Sequence, residues 1–197
     1  MTRFDRLSRR DVLLASTLAA GSLVASDIAS AQELPATPAC DSDARTPSQT
    51  EGPFFTPRSP ERANLREPGM AGVPVMLTGF VLTRGCRPVA RALVDLWHAD
   101  DAGAYDNQGF RLRGHVFTDA QGRYGFRTIR PAFYPGRTRH YHVKVQGGGS
   151  RLLTTQLYFP DEPANARDGL FRRELVMRVA QAGEALAARF DFVLDIR

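Results

Sequence analysis

Lysine is almost missing from this sequence. Its 197 residues include 26 lysines and arginines, and Lys144 is the one lysine among them. The formal net charge of +5 is therefore carried by arginines scattered along the whole length, with Arg9-Arg10 and Arg172-Arg173 as the longest basic runs. Surfaces built for nucleic acid or anionic membranes cluster their charge, so this scatter argues against nucleic acid as a partner. Cysteine is nearly as scarce: Cys40 and Cys86 cannot make a zinc knuckle alone. Also missing are internal repeats, sustained heptads, a phosphate-cradling glycine loop and a Gly-x-Ser-x-Gly elbow. What is present is 43% hydrophobic and 24% charged residues, enough for one packed domain and inconsistent with a wholly disordered chain.

Residues 1–31 read as an export leader. Arg3, Arg6, Arg9 and Arg10 make a basic start, and Ser8-Arg9-Arg10-Asp11-Val12-Leu13-Leu14 resembles the twin-arginine motif. The apolar stretch from Val12 to about Val24 is too short and too rich in Ala, Gly and Ser for a stable membrane span. Ala29-Ser30-Ala31 is a small-x-small cleavage site. The expectation is delivery through the twin-arginine export machinery to a periplasmic or extracellular location. There an oxidising environment permits a Cys40–Cys86 disulfide, with two free thiols as the other reading.

Residues 32–49, rich in Pro, Ala, Ser, Thr and Asp and without periodicity, read as a flexible linker. The texture then turns to short β-rich runs: 75–83, 92–97, 115–118, 123–128, 140–145, 152–159 and 190–196. In the last, Phe190, Phe192, Leu194 and Ile196 alternate with Asp191 and Asp195, predicting the aspartates on the solvent side. Asp119-Ala120-Gln121-Gly122 is a hairpin turn, and Gly147-Gly148-Gly149 is a second hairpin tip. The stretch 168–188 is ambiguous and is compatible with a short helix. The pattern predicts an all-β fold, an antiparallel β-sandwich of about seven or eight strands with long loops and little helix, over residues 50–197.

Chemistry concentrates at His140-x-His142. Residues i and i+2 of a strand share a face with α-carbons about 7 Å apart, so both imidazoles can reach one ion. Just upstream, Tyr134 sits in a turn between Pro131 and Pro135, where fixed φ values present it rigidly. Tyr105 ends the loop that follows Trp97-His98. A free tyrosine has a pKa of about 10, so phenolate ligation at neutral pH calls for a strong Lewis acid. Two phenolates and two imidazoles suit ferric iron better than zinc, calcium or magnesium. A cupin-type metal site, which places a glutamate three or four residues after His-x-His, is excluded because Val143-Lys144-Val145-Gln146 follows.

Four segments, in order, carry a resemblance: TEGPFF at 50–55, LVDLWHADDAGAYD at 93–106, FRTIRPAFYPGRTRHYHVKV at 126–145 and LTTQLYFP at 153–160. This stretch is similar to the intradiol ring-cleavage dioxygenases, the family of protocatechuate 3,4-dioxygenase and catechol 1,2-dioxygenase. The resemblance implies one non-haem Fe(III) per chain, bound by Tyr105, Tyr134, His140 and His142, with Tyr134 and His142 axial. It implies a catecholic substrate opened by O2 to a cis,cis-muconate-type product, with Tyr134 taking up a substrate proton. Arg137 matches the arginine that lies against the bound ring, and Gln156 matches a glutamine that orients bound groups. A homo-oligomer is left open. The alternative is an exported transthyretin-like sandwich that binds without catalysing. His98 and His115 lack ligand spacing and read as structural or surface residues.

Overall fold

The computed structural model describes residue 34 and residues 45–196. The leader, most of the linker and Cys40 lie outside the described residues. Cys86 is disulfide-bonded.

The longest strand, β1 (Pro74–Thr83), alternates with period two and sends Val75, Leu77 and Val81 inward. The others are β2 (Leu93–Trp97), β3 (Arg113–Phe117), β4 (Arg123–Ile129), β5 (His140–Gln146), β6 (Leu153–Tyr158), β7 (Arg178–Ala182), β8 (Ala185–Arg189) and β9 (Phe192–Leu194). One sheet has the order β4-β1-β8-β7 with β9 also pairing β1; the other has the order β3-β2-β5-β6. Their inner faces bury Leu77, Val81 and Phe126 with Val94, Leu96, Tyr141, Val143 and Leu157. The expected β-sandwich is therefore present. It is a mixed one, since β1 pairs in parallel with β8 and then with β9.

Two expectations are corrected. The ambiguous stretch at 168–188 holds a 3-10 turn (Arg173–Leu175) and then the β7–β8 hairpin. Arg, Ala, Glu and Leu there favour helix locally, but β8 completes the hydrogen bonding of β1, and that pairing overrides propensity. Asp191 does not face solvent: it is 2% exposed, accepts the Phe80 amide at 3.0 Å and pairs with Arg189. Asp195 does lie outside, between Arg45 and Arg84.

Asp191 marks where the chain passes from β8 to β9, and that jog bears on Gly79. A Cβ on Gly79 would stand 1.7 Å from the Phe190 carbonyl oxygen, so backbone and not a yielding side chain occupies the space. Gly79→Ala should destabilise the domain by about 3 kcal/mol, lowering Tm by roughly 6–12 °C. Thermal denaturation followed by circular dichroism checks this, and an unshifted Tm would contradict the close approach.

Candidate metal centre and active site

Strand β5 separates its side chains by parity. Tyr141, Val143 and Val145 enter the core. His140, His142 and Lys144 therefore project from the opposite face of the sheet. Cross-strand register sets their neighbours: His142 lies between Trp97 on β2 and Gln156 on β6, and His140 lies opposite Tyr158.

That outer face would be open if residues 46–65 did not run across it. Gln49 donates its amide to Thr154 O at 2.8 Å, Thr155 Oγ1 donates to Pro47 O at 2.7 Å, and Gln156 Nε2 donates to Thr50 O at 3.0 Å. Ser59 Oγ donates to the buried Asp95 carboxylate at 2.8 Å. Lys144 pairs with Glu51 and sets its ammonium 3.4 Å from the centre of the Phe55 ring. The strap thus seals the two histidines from above, and both are under 5% exposed.

The histidine geometry fits a bound metal. His140 Nδ1 lies 2.6 Å from Thr138 O, an atom that can only accept, so Nδ1 carries the proton and Nε2 keeps its lone pair. The Nε2 atoms of His140 and His142 are 3.1 Å apart. Two metal–nitrogen bonds of about 2.1 Å meeting at a right angle separate their nitrogens by about 3 Å. His142 Nδ1 is buried without a hydrogen-bond partner among the described residues. Its ring is held instead by Trp97, parallel to it at 5.0 Å, and by the close approach of Gly52. Burial pushes the His140 pKa down to about 4 and that of His142 well below its ordinary value, so both are neutral, as ligation requires.

Tyr105 and Tyr134 come from two loops stitched together. Asp100 Oδ1 accepts the amides of Ala102 and Ala104, each at 2.9 Å, and Asp106 accepts those of Gln108, Gly109 and Arg111. The buried Arg113 donates to Asp106 O at 2.8 Å and to Phe54 O at 2.6 Å, tying this loop to the strap. Ala132 donates its amide to Asp100 O at 2.9 Å, and a Cβ on Gly103 (φ +85) would strike the Phe133 carbonyl oxygen at 2.5 Å. Tyr134-Pro135-Gly136-Arg137 is a tight turn closed by the Arg137 amide on Tyr134 O at 2.8 Å. The Tyr105 ring is 6.2 Å from Tyr134 and 6.1 Å from His142, centre to centre, so the four expected ligands form one continuous cluster. Burial pushes the Tyr105 hydroxyl up to about 12, so its ionisation needs a strong electrophile. Among the described residues no three of His, Cys, Asp and Glu converge on one point; the phenols are what complete a donor set.

Arg137 and Gln156 also belong to this cluster. Arg137 Nη2 donates to Gln156 Oε1, and Arg137 Nε donates to both oxygens of Asp168 at 3.0 and 2.9 Å. The Asp168 carboxylate, 1% exposed, also accepts the amides of Thr138 and Leu170. Sequence reasoning missed Asp168, which lies in a stretch with no periodicity to single it out. It also missed Tyr158, whose hydroxyl lies 3.1 Å from Gln156 Oε1. Trp97 is fully buried but on the outer face, against His142 and Phe55. His98 is structural as expected, held between Ala99 O and Thr128 Oγ1. His115 lies away from the cluster, 3.2 Å from Ser59 Oγ.

The chain is similar to known dioxygenases. The family described as "Dioxygenase" matches residues 50–196. The chain is 37% identical over 153 residues to the protocatechuate 3,4-dioxygenase beta chain of Burkholderia cepacia, covering 62% of this chain and 65% of that one. It is 32% identical over 180 residues to catechol 1,2-dioxygenase 2 of Acinetobacter lwoffii, covering 77% and 66%. These matches span about two thirds of each of those relatives, and a match to a Rhizobium hydroxyquinol 1,2-dioxygenase spans half. Among solved structures, the dioxygenase domain of a dioxygenase carbohydrate-binding fusion from Streptomyces sp. SirexAA-E superposes with a TM-score of 0.77 at 51% identity, covering 78% of this chain and 100% of that one. The 3-chlorocatechol 1,2-dioxygenase of Rhodococcus opacus 1CP gives 0.73 at 28% identity, covering 78% and 73%.

The Arg137–Asp168 pair has a pH signature. Burial opposes ionisation of Asp168, but the Leu170 and Thr138 amides and the Arg137 guanidinium outweigh it and hold the carboxyl below its usual value. A depressed carboxyl stabilises the fold above its unfolded pKa and loses that contribution as pH falls through the folded one. Asp168→Asn should cost about 2 kcal/mol near neutrality, with the gap to the parent closing in acid once the carboxyl is protonated. Urea denaturation near neutrality and in acid checks this; a gap independent of pH would show that the ionised carboxylate is not what holds the turn.

Proposed function

The chain belongs to the intradiol ring-cleavage dioxygenase family, and we propose that it opens a catechol-type ring with O2 at a ferric ion held by Tyr105, Tyr134, His140 and His142. The observation that carries the iron assignment is the 3.1 Å approach of two buried imidazole nitrogens, in a cluster completed by phenols. A ferric ion bound there would supply a Lewis acid that ionises the catechol hydroxyls and makes the ring reactive toward O2. The substrate class follows from the relatives, named for protocatechuate, hydroxyquinol, catechol and chlorocatechol, which share a vicinal diol on an aromatic ring.

The chain's own groups then have separate tasks. Tyr134, half-buried in its turn, would take up a proton from a catechol hydroxyl. Arg137 supplies positive charge beside the ring as negative charge develops, its guanidinium held by Asp168 on one side and Gln156 on the other. Trp97 and the 46–65 strap exclude water from His142. A non-catalytic binding sandwich is not favoured, because it would not call for two phenols and two neutral imidazoles in one cluster. Export through the leader at residues 1–31 remains part of the proposal.

The iron-loaded protein should be red-brown from phenolate-to-Fe(III) charge transfer, with a band that shifts on anaerobic addition of catechol, and should consume O2 with catechol. Tyr134→Phe should alter the band and lower kcat by about 10²-fold. Arg137→Gln should lower kcat by about 10²–10³-fold while leaving the colour in place. A colourless protein that takes up no O2 with any catechol would overturn the assignment.

A further inference from the structure

A groove of about 480 Å³ has Tyr134 and Arg137, two residues of the proposed reaction site, in its lining. Grooves of about 300–1,000 Å³ take drug-sized ligands, and a single dihydroxybenzene ring leaves much of this space unused. The rest of its lining has two characters. Phe133, Pro135 and Ala164 give it an apolar wall. Phe133 is 45% exposed, and the Arg139 guanidinium lies 4.1 Å from its ring centre, fixing the ring at the rim.

The second character is cationic. Arg137 is ion-paired with Asp168, and Arg139, behind Phe133, is ion-paired with Glu162. Arg167, at the end of the 3-10 helix Pro163–Arg167, lines the same groove, is exposed, and has no carboxylate partner among the described residues. A largely apolar groove that shares Tyr134 and Arg137 with the reaction site, with one uncompensated guanidinium on it, suits an apolar arm tipped by an anion.

We propose that this groove is a subsite for the side arm of the substrate, and that the preferred substrate is a catechol bearing a short apolar arm that ends in a carboxylate. The arm lies along Phe133 and Pro135, and its carboxylate pairs with Arg167. This rests on the ring-cleaving function proposed above, with Arg167 setting specificity and taking no part in the ring chemistry.

The test uses the iron-loaded full chain and O2 uptake with three compounds: catechol, 3,4-dihydroxycinnamate and its methyl ester. The acid should exceed the ester in kcat/KM by about fivefold at low salt, the contribution of one partly exposed ion pair, and the margin should shrink as salt rises. Arg167→Gln should bring the acid-to-ester ratio to about one, whereas Arg167→Lys should keep most of it. Ala164→Phe, which fills the groove, should lower kcat/KM for acid and ester alike relative to catechol. Cleavage of catechol with acid and ester used equally well by the parent overturns the subsite and leaves the ring-cleaving function standing. An acid preference that survives Arg167→Gln gives the carboxylate to another cation and overturns it too. No O2 uptake with any of the three overturns both.

Discussion

Strand β5 has to satisfy two faces at once, and the rest of the molecule is arranged around that demand. Its odd residues Tyr141, Val143 and Val145 are committed to the core. The even residues His140 and His142 are thereby forced to the other side, where a bare sheet would leave them wet and free to turn. A one-residue slip in register would exchange the two sets, losing core and candidate ligands together. The same hydrogen-bond ladder therefore fixes both the fold and the 3.1 Å approach of the imidazole nitrogens. Stability and chemistry share one constraint.

Everything else at the site completes what β5 leaves unfinished. Trp97, from the neighbouring strand, lies flat on His142, and Gln156, from the other neighbour, reaches both the strap and Arg137. The loops bearing Tyr105 and Tyr134 are not independently mobile arms, because the Ala132–Asp100 hydrogen bond and the tight Gly103–Phe133 approach join them. Arg137 shows the same economy: its guanidinium is oriented by a buried carboxylate that also caps the turn behind it. Each group that would face a substrate is positioned by a second group that does not.

This division explains what was legible in the sequence. His140-x-His142 on an alternating strand, and Tyr134 between prolines, declare themselves locally, because spacing alone dictates their face or exposure. Seven of the nine described strands overlap runs that read as β in the sequence. The β7–β8 hairpin does not, since its Ala- and Arg-rich residues prefer helix until β1 offers them hydrogen bonds. Asp168 and Tyr158 are invisible for a related reason: Asp168 holds Arg137, 31 positions away, and Tyr158 donates to Gln49, 109 positions away. Asp191 was misjudged because alternation assigns faces but cannot show that a strand breaks there and its backbone needs an acceptor.

The strap carries a consequence for the order of assembly. Thr50 and Gln156, which hydrogen-bond beside the histidines, are separated by 106 positions in the chain. The covering segment is thus synthesised well before the strands it must cover, and it cannot dock until β5 and β6 have paired. Contacts of such sequence separation form late, after most of the loop entropy has been spent. The cover over the two histidines therefore depends on long-range pairing with the edge strand β6, and a change that loosens that edge would uncover them as well.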